Sequence, residues 1–290
     1  MQKISKVIIP AAGFGTRFLP ATKACPKEML TVVDKPVIQY ATEEAVQAGI
    51  KDIIFIIGRN KQSIEDHFDK AYELEAELLF KEKRVLLESV QNVVPSTVNC
   101  MFIRQATAQG LGHAVSCAKP IVKDEPFAVV FPDDLIHSPG RGCLGQMMDV
   151  YNETGKSVLA VEKVEGRDIS KYGVIETDRF ENRIGSIQTI VEKPSFETAP
   201  SNLGVVGRYI LSNKIMKILD NLGPGSGGEI QLTDGISQLL EYDIINAYEF
   251  NGTRYDCGSK LGFLKANIAL GIESDDINES LVDWIKKQIL

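Results

Sequence analysis

Apolar runs of strand length alternate with helical patterns along the first half of the chain. The strand candidates are Val7–Pro10, Asp52–Ile57, Cys100–Arg104 and Phe127–Phe131, and the helix candidates between them are Val37–Ala48, Ser63–Ala71 and His113–Ala118. Such alternation predicts an α/β fold with a Rossmann-like, mixed and mostly parallel central sheet that helices cover on both faces. Residues 65–90 are rich in Glu and Lys, which favours outer helices with a solvated face.

The pattern changes after residue 160, where the predicted strands become shorter. They lie within KYGVIETD, IGSIQTIVEKP and LGVVGRYIL, and are followed by helices near Asn213–Leu222 and Ile230–Glu241 and a strand at Ile244–Phe250. The last 30 residues are predicted to be helical, with one apolar face formed by Ile277, Leu281, Trp284, Ile285 and Ile289. This face either packs on the rest of the chain or forms an interface with another copy. We expect one compact domain with a small β excursion and C-terminal helices.

Composition limits the class of protein. With 290 residues, 44% of them hydrophobic and 24% charged, the chain can bury a sizeable core. No run approaches the roughly 18 apolar residues that span a bilayer, and the N-terminus lacks the apolar block of a signal peptide. We therefore expect a soluble, cytoplasmic protein. The five cysteines are scattered without a C-x-x-C pair, which predicts reduced thiols and neither a disulfide framework nor a zinc site.

Charge is distributed unevenly along the chain. The net charge is −7, which argues against general affinity for nucleic acid. Residues 1–36 nevertheless carry six basic and two acidic side chains, so this segment is +4 and the remainder is −11. A small positive region on an acidic protein favours a small anionic ligand.

A glycine loop follows the first predicted strand. Gly13 and Gly15 let backbone N–H groups approach an anion closely, Arg17 can bind phosphate oxygens in bidentate fashion, and Lys27 adds a point charge. Phe18 stands where a dinucleotide-binding fingerprint has its third glycine, and no G-K-[ST] follows, so neither a nicotinamide or flavin site nor a P-loop is predicted. The alternative is a tight strand-to-helix turn with solvated charges.

Two acidic positions are candidates for a metal site. The apolar strand FAVVF ends in Pro132-Asp133-Asp134, and acidic residues at the carboxyl end of a central parallel strand face the ligand crevice. Asp256, in YDCGS, precedes a predicted helix. Magnesium takes one or two carboxylates together with phosphate and water oxygens. The alternatives are turn chemistry for Asp133 and Asp134 and local hydrogen bonds at a helix start for Asp256.

The segment PAAGFGTRFLPATKACPKEML resembles the signature loop of sugar-nucleotide pyrophosphorylases, the nucleotidyltransferases that join a sugar 1-phosphate to a nucleotide. Later segments agree with the bacterial uridylyltransferases of that family in the same order: DKPVIQYATEEAVQAGI, RQATAQGLGHAV, VVFPDDLI, KYGVIE, VEKP, GEIQLTDGI and YDCGSKLGFLKA. The resemblance covers nearly the whole chain. Two positions depart from it: Cys25 replaces a glutamine expected in many relatives, and Thr31 replaces an expected proline.

The resemblance implies a reaction in which UTP and glucose 1-phosphate give UDP-glucose and pyrophosphate with Mg²⁺. Both reactants are anions, so such a site must supply positive charge and positioning more than a general base. Use of dTTP or of another sugar 1-phosphate stays open, and a non-catalytic module that senses nucleotide sugars is the alternative from another class. The resemblance also implies a homo-oligomer, either a homodimer or a homotetramer.

The resemblance further assigns residues. It implies a nucleotide-binding half at 1–135, a sugar-phosphate-binding half at 136–258 and C-terminal helices at 259–290, all within a single domain at 1–290. The implied nucleotide-binding residues are Ala11, Ala12, Gly13, Gly15, Thr16, Gln105 and Gly110. The implied catalytic residues are Arg17, Lys27 and Lys193, the sugar-binding residues are Asp134, Gly173, Glu192 and Lys193, and the metal ligands are Asp133 and Asp256. From the residues alone, Gln105 could instead cap its own loop, Asp134 could support the loop, and Glu192 and Lys193 could form a surface pair at a turn.

Overall fold

The computed structural model describes residues 2–289, without the side chains of Ser226 and Ile289. The strands are β1 (Lys6–Ala11), β2 (Thr31–Val32), β3 (Lys35–Pro36), β4 (Asp52–Ile57), β5 (Asn99–Arg104), β6 (Phe127–Val130), β7 (Asp134–His137), β8 (Ser157–Lys163), β9 (Gly173–Glu181), β10 (Ile184–Glu192), β11 (Leu203–Leu211), β12 (Ile245–Glu249) and β13 (Thr253–Asp256). The helices are α1 (Val37–Gln47), α2 (Gln62–Phe68), α3 (Tyr72–Phe80), α4 (Arg84–Gln91), α5 (Leu111–Ser116), α6 (Lys119–Val122), α7 (Cys143–Thr154), α8 (Lys214–Asn221), α9 (Leu232–Leu239), α10 (Lys260–Glu273) and α11 (Asn278–Ile289). Short 3₁₀ turns include Thr16–Phe18, Ala21–Lys23 and Lys27–Met29.

The central sheet has the strand order β5-β4-β1-β6-β11-β8-β12-β10-β9. The first four strands are parallel to one another, and β8 is parallel to β12. β11 runs antiparallel to both β6 and β8, and β10 runs antiparallel to both β9 and β12. The prediction of a mixed sheet is confirmed, whereas the prediction of a mostly parallel one is wrong beyond β6.

A tight turn explains part of this antiparallel pairing. Asn182 and Arg183 join β9 to β10, and their φ angles are 50° and 68°. Two successive residues with positive φ form the kind of two-residue turn that connects antiparallel neighbours, whereas parallel neighbours need a long crossover. The sequence offered no glycine at this turn.

The predicted β excursion closes on itself. Besides their other partners, β9 and β11 pair at Val174 and Gly204, so the strands β11, β8, β12, β10 and β9 form a closed ring beside the parallel part of the sheet. A Cβ on Gly204 would lie 2.9 Å from Val164 Cγ2 and 3.2 Å from Tyr172 Cγ. Because Gly204 has no side chain, β11 can come close enough to β9 to close the ring.

Helices cover the sheet on two faces, as predicted. Val7 and Ile9 of β1 join the apolar cluster that includes helices α1 and α7, whereas the intervening Ile8 joins the cluster that includes α5, α8 and α9. This two-residue alternation is what a strand buried on both faces requires. The predicted helix Ser63–Ala71 ends earlier, at Phe68, because the backbone at Asp69 is extended.

The C-terminal helices pack against each other, and α10 also packs on the ribbon formed by β7 and β13. A Cβ on Gly271 of α10 would lie 2.7 Å from Leu281 Cδ2 and 3.7 Å from Ile277 Cδ1 of the following segment. Part of the predicted apolar face therefore packs within the chain, whereas Trp284 is 59% exposed. The side chain of Ile289 lies outside the described residues.

Two findings concern the compositional predictions. Among residues 2–289, no helix is long and apolar enough to cross a membrane. All five cysteines carry free thiols. Burial raises the pKa of the Cys257 thiol to about 12 and that of Cys143 well above its usual range.

Candidate active site

Two cavities meet at the glycine loop after β1. The larger, of about 610 Å³, is lined by predicted site residues from both halves of the chain: Arg17, Asp133, Asp134, Gly173, Glu192, Lys193 and Asp256. The smaller, of about 400 Å³, is lined by Ala12, Gly13, Thr16 and Gln105 among others. Because Thr16 and Arg17 are adjacent and line one cavity each, the loop lies between the two cavities.

Short turns and one aromatic contact hold the glycine loop. Gly15 has a φ of 65°, its carbonyl oxygen accepts a hydrogen bond of 2.7 Å from Thr22 Oγ1, and a Cβ at this position would lie 3.1 Å from Lys27 Cβ. Phe18 packs edge-on against Phe263 of α10 with the ring centroids 5.6 Å apart. The phenylalanine that replaces the fingerprint glycine thus anchors the loop to the C-terminal helices.

Lys27 and Asp133 form an ion pair, with Nζ and Oδ2 2.5 Å apart. Burial alone would lower the pKa of Lys27, but Asp133 and Glu28 outweigh it and raise that pKa above its usual value. Burial likewise would raise the pKa of Asp133, but the charge and hydrogen bond of Lys27 hold it below its usual value. Both groups are therefore charged at neutral pH.

The absence of a side chain at Gly258 lets the two predicted metal ligands come close to this part of the backbone. A Cβ on this glycine would lie 2.9 Å from Asp133 Oδ2, 3.0 Å from Asp256 Oδ1 and 3.5 Å from Arg17 Nη1. Carboxylate oxygens are the ligands that Mg²⁺ prefers, and it commonly takes only one or two of them beside substrate phosphates and water. The described part of the chain contains no cluster of three or more potential protein ligands. The two carboxylates would therefore suit a divalent ion that also binds phosphate and water oxygens.

The carboxylate of Asp134 is engaged by protein groups on both oxygens. Oδ2 accepts a hydrogen bond of 2.8 Å from the Gly207 N–H, and Oδ1 accepts one of 2.9 Å from Arg254 Nε and lies 2.8 Å from Arg254 Nη2 in an ion pair. Of the two roles left open for Asp134, this geometry favours support of the strand ends over contact with the sugar.

The predicted sugar-binding residues lie together. Glu192 Oε2 accepts a hydrogen bond of 2.6 Å from Thr233 Oγ1, and Glu192 Oε1 lies 3.0 Å from Lys193 Nζ. A Cβ on Gly173 would be 3.2 Å from that threonine hydroxyl and 3.5 Å from the glutamate. The absence of a side chain at Gly173 thus keeps this end of the larger cavity open.

Gln105 lies at the smaller cavity and is only 6% exposed. Its Nε2 lies 2.8 Å from His113 Nδ1 and donates a bond of 3.2 Å to the Gly110 carbonyl oxygen. The amide nitrogen is thus used within the protein, which matches the loop-capping alternative, and recognition of a base by Gln105 stays a prediction. Gly110, with a φ of 99°, packs against Glu229, and Ala11 is buried at the end of β1.

Comparison with known proteins identifies the family of this chain. A family model described as nucleotidyl transferase matches residues 6–271. The chain belongs to this family. It is 48% identical over 287 residues, covering 99% of both chains, to UTP–glucose-1-phosphate uridylyltransferase 2 of Staphylococcus saprophyticus. The resemblance seen in the sequence is thereby confirmed.

Solved structures resemble this nucleotidyl transferase over most of its length. A UTP-bound UGPase from Acinetobacter baumannii matches with a TM-score of 0.91 and 43% identity, covering 97% of this chain and 98% of that one. A UDP-glucose pyrophosphorylase complexed with UDP-glucose matches with a TM-score of 0.85 and 43% identity, covering 93% of this chain and 100% of that one.

Three basic residues in or beside the site of this nucleotidyl transferase were not predicted from the sequence. Arg254 lies in the larger cavity, and Arg208 is buried in β11, where an arginine within the apolar run LGVVGRYIL was the available signal. Lys61 lines the smaller cavity and lies 2.6 Å from the fully buried carboxylate of Glu28. No local pattern marks a lysine as the partner of a carboxylate 33 positions earlier in the chain.

Proposed function

We propose that this protein is a UTP–glucose-1-phosphate uridylyltransferase, which makes UDP-glucose and pyrophosphate from UTP and glucose 1-phosphate. The observation that carries the proposal is that Arg17, Asp133 and Asp256 surround one space beside Gly258, in a cavity that extends to Lys193. Relatives that are named for this reaction, and a similar structure with UTP bound, support the same substrates. Residues 1–135 would bind the nucleotide and residues 136–258 the sugar phosphate.

In this reaction, an oxygen of the sugar phosphate attacks the α-phosphorus of UTP, and the bond to the β-phosphate oxygen breaks to release pyrophosphate. Arg17 neutralises the charge that develops on the leaving pyrophosphate, and Lys27 binds the nucleotide phosphates. Lys193 holds the sugar phosphate, while Glu192 accepts hydrogen bonds from sugar hydroxyls. A divalent ion on Asp133 and Asp256, which we propose to be Mg²⁺, adds positive charge at the phosphates when bound.

The state of assembly is part of this proposal. Four apolar side chains spaced along α10 are substantially exposed, namely Leu261, Leu264, Ile268 and Ile272. Apolar side chains grouped on one helix favour an interface. We therefore expect a homodimer or a homotetramer, which sedimentation equilibrium would distinguish from a monomer.

The proposal is tested by pyrophosphate release from a panel of nucleotides and sugar 1-phosphates. UTP with glucose 1-phosphate is expected to be the fastest pair, ahead of dTTP and of other sugar phosphates. We expect Asp133→Asn to lower kcat by about 100- to 1000-fold and Lys193→Ala to lower kcat/KM by about 10- to 100-fold. Lys214→Ala is the matched control, because Lys214 and Lys193 are similarly exposed, at 58% and 56%, and each pairs with a carboxylate.

Two results would overturn the proposal. Normal turnover of both site variants would remove the assignment of the site. Tight binding of UDP-glucose without any exchange of labelled pyrophosphate would instead indicate a sensing module.

A further inference from the structure

Arg254 connects groups from three strands and one loop. On β13, its Nε donates to Asp134 Oδ1, which also lies 2.8 Å from Nη2, and its Nη1 donates to Glu162 Oε1 on β8 at 2.6 Å. The same Nη1 donates to the Tyr172 hydroxyl at 3.0 Å, and the guanidinium carbon lies 5.1 Å from the centroid of the Tyr172 ring. The side chain is only 9% exposed, although it lines the larger cavity.

These contacts join the two sides of the larger cavity. Arg254 lies two positions before Asp256 on β13, so both side chains lie on the same face of that strand. Tyr172 immediately precedes Gly173, and its carbonyl oxygen accepts a hydrogen bond of 2.9 Å from the Lys193 N–H. One guanidinium therefore connects the strand that carries a predicted metal ligand with the segment that frames the sugar-binding residues.

The charge of Arg254 also matters for an anionic substrate. Asp134 and Glu162 both face the guanidinium, and burial raises the pKa of the Glu162 carboxyl. Without a cation between them, two carboxylates near the cavity would repel a sugar phosphate. Arginine suits this position because its rigid, planar guanidinium presents separate N–H groups to two carboxylates and a phenol, whereas a lysine offers one compact ammonium on a flexible stem.

We propose that Arg254 is a positioning residue for the sugar 1-phosphate, acting through Tyr172 to fix the segment at Gly173 and Lys193 relative to Asp256. This inference rests on the proposed function, because it assumes that the larger cavity holds the sugar phosphate. It predicts that loss of the Arg254–Tyr172 contact weakens the sugar side of the site and leaves the nucleotide side intact.

The test compares three variants of the full chain with the parent. Tyr172→Phe removes only the hydroxyl that Arg254 contacts, Arg254→Lys keeps the charge but loses the fork, and Arg254→Met loses both. Arg141→Lys is the control, because Arg141 pairs with Asp149 on an exposed surface outside the two cavities. Initial rates give KM for UTP and for glucose 1-phosphate separately, and titration calorimetry gives Kd for UDP-glucose and for UDP.

We expect Tyr172→Phe to raise KM for glucose 1-phosphate by about 3- to 10-fold, the worth of one hydrogen bond, while KM for UTP changes less than twofold. Arg254→Lys and Arg254→Met should show progressively larger increases. UDP-glucose should lose affinity by a similar factor, whereas UDP should not. The melting temperature of Tyr172→Phe should equal that of the parent, and Arg141→Lys should match the parent in every measurement.

Equal increases in both KM values, or a lowered melting temperature with unchanged KM values, would show that Arg254 is only a structural cross-link. The calorimetric measurements do not depend on turnover. A parent protein that releases no pyrophosphate would therefore contradict the proposed function, while selective loss of UDP-glucose affinity would still support the role of Arg254. If UDP-glucose and UDP lose affinity equally, the inference about Arg254 is wrong even when the parent enzyme is active.

Discussion

At the scale of single residues, the ion pair of Lys27 and Asp133 joins two residues of the proposed site. The lysine proposed to bind phosphate and the aspartate proposed to bind a cation neutralise each other at 2.5 Å. A charged group that is half-buried without a partner costs free energy, so each preserves the ionised state of the other. In the proposed reaction Asp133 would hold the divalent ion and Lys27 would bind phosphate oxygens, so these contacts would replace the ion pair.

We predict that Lys27→Met lowers kcat/KM for UTP by about 10- to 100-fold, since a charge-assisted contact to phosphate is lost. Steady-state pyrophosphate release at saturating glucose 1-phosphate measures this effect. Lys81→Met serves as the control, because Lys81, just after α3, forms an exposed ion pair with Glu77, four residues earlier in that helix. A decrease of less than threefold for Lys27→Met would mean that this lysine does not contact the nucleotide phosphates.

At the scale of elements, the sequence predicted those strands that a short apolar run marks within the strand itself. β1 and β4 are short apolar runs buried on both faces, and the sequence placed both of them within one residue of their ends. β13 has the sequence TRYD and escaped prediction, because its strand character comes from pairing with β7, more than 100 residues earlier. Tertiary pairing of this kind leaves no periodic signal in four mostly polar residues.

The same limit applies to the candidate site. Asp133 was identifiable because acidic residues at the end of a buried strand mark a ligand crevice. Arg208 stands out as an arginine within an apolar run, but its role could not be predicted, because that role depends on Glu44 in α1, whose carboxylate it contacts at 2.8 Å. Arg208 also donates to the carbonyl oxygens of Phe131 and Asp134, at 3.1 and 2.8 Å, and so fixes the turn that presents Asp133.

We predict that Arg208→Met lowers the free energy of unfolding by about 3–5 kcal/mol, because it leaves the carboxylate of Glu44 buried without a cation. The double variant Glu44→Gln with Arg208→Met should be less destabilised than the sum of the two single variants, since it carries no unpaired charge. Urea denaturation followed by far-ultraviolet circular dichroism measures both quantities. Arg141→Met, which breaks an exposed pair, should cost about 0.5 kcal/mol or less.

Additive effects of Glu44→Gln and Arg208→Met would contradict this account. They would show that the two side chains stabilise the fold independently, and that Arg208 acts mainly through its bonds to the backbone carbonyl groups of the turn.

At the scale of the whole molecule, one sheet passes through both predicted halves. β11, from the second half, lies between β6 of the first half and β8. Four residues of β11, from Arg208 to Leu211, pair with β6, and this contact is as regular as those between the parallel strands. The proposed site lies where the halves meet, so the sheet that joins them also sets the distance between nucleotide and sugar residues.

Because β6 and β11 share this ladder, we predict that the chain unfolds as a single cooperative unit. The urea transitions followed by far-ultraviolet circular dichroism and by tyrosine fluorescence should coincide, and calorimetric and van't Hoff enthalpies should agree. UTP should shift the whole transition to higher urea, because it binds only the folded state.

A fragment of residues 1–135 should fail to fold, since it would expose the edge of β6, an apolar strand whose four residues are all buried in the complete chain. Two separated transitions, or a soluble fragment with native-like near-ultraviolet dichroism, would instead show that the halves are independent domains.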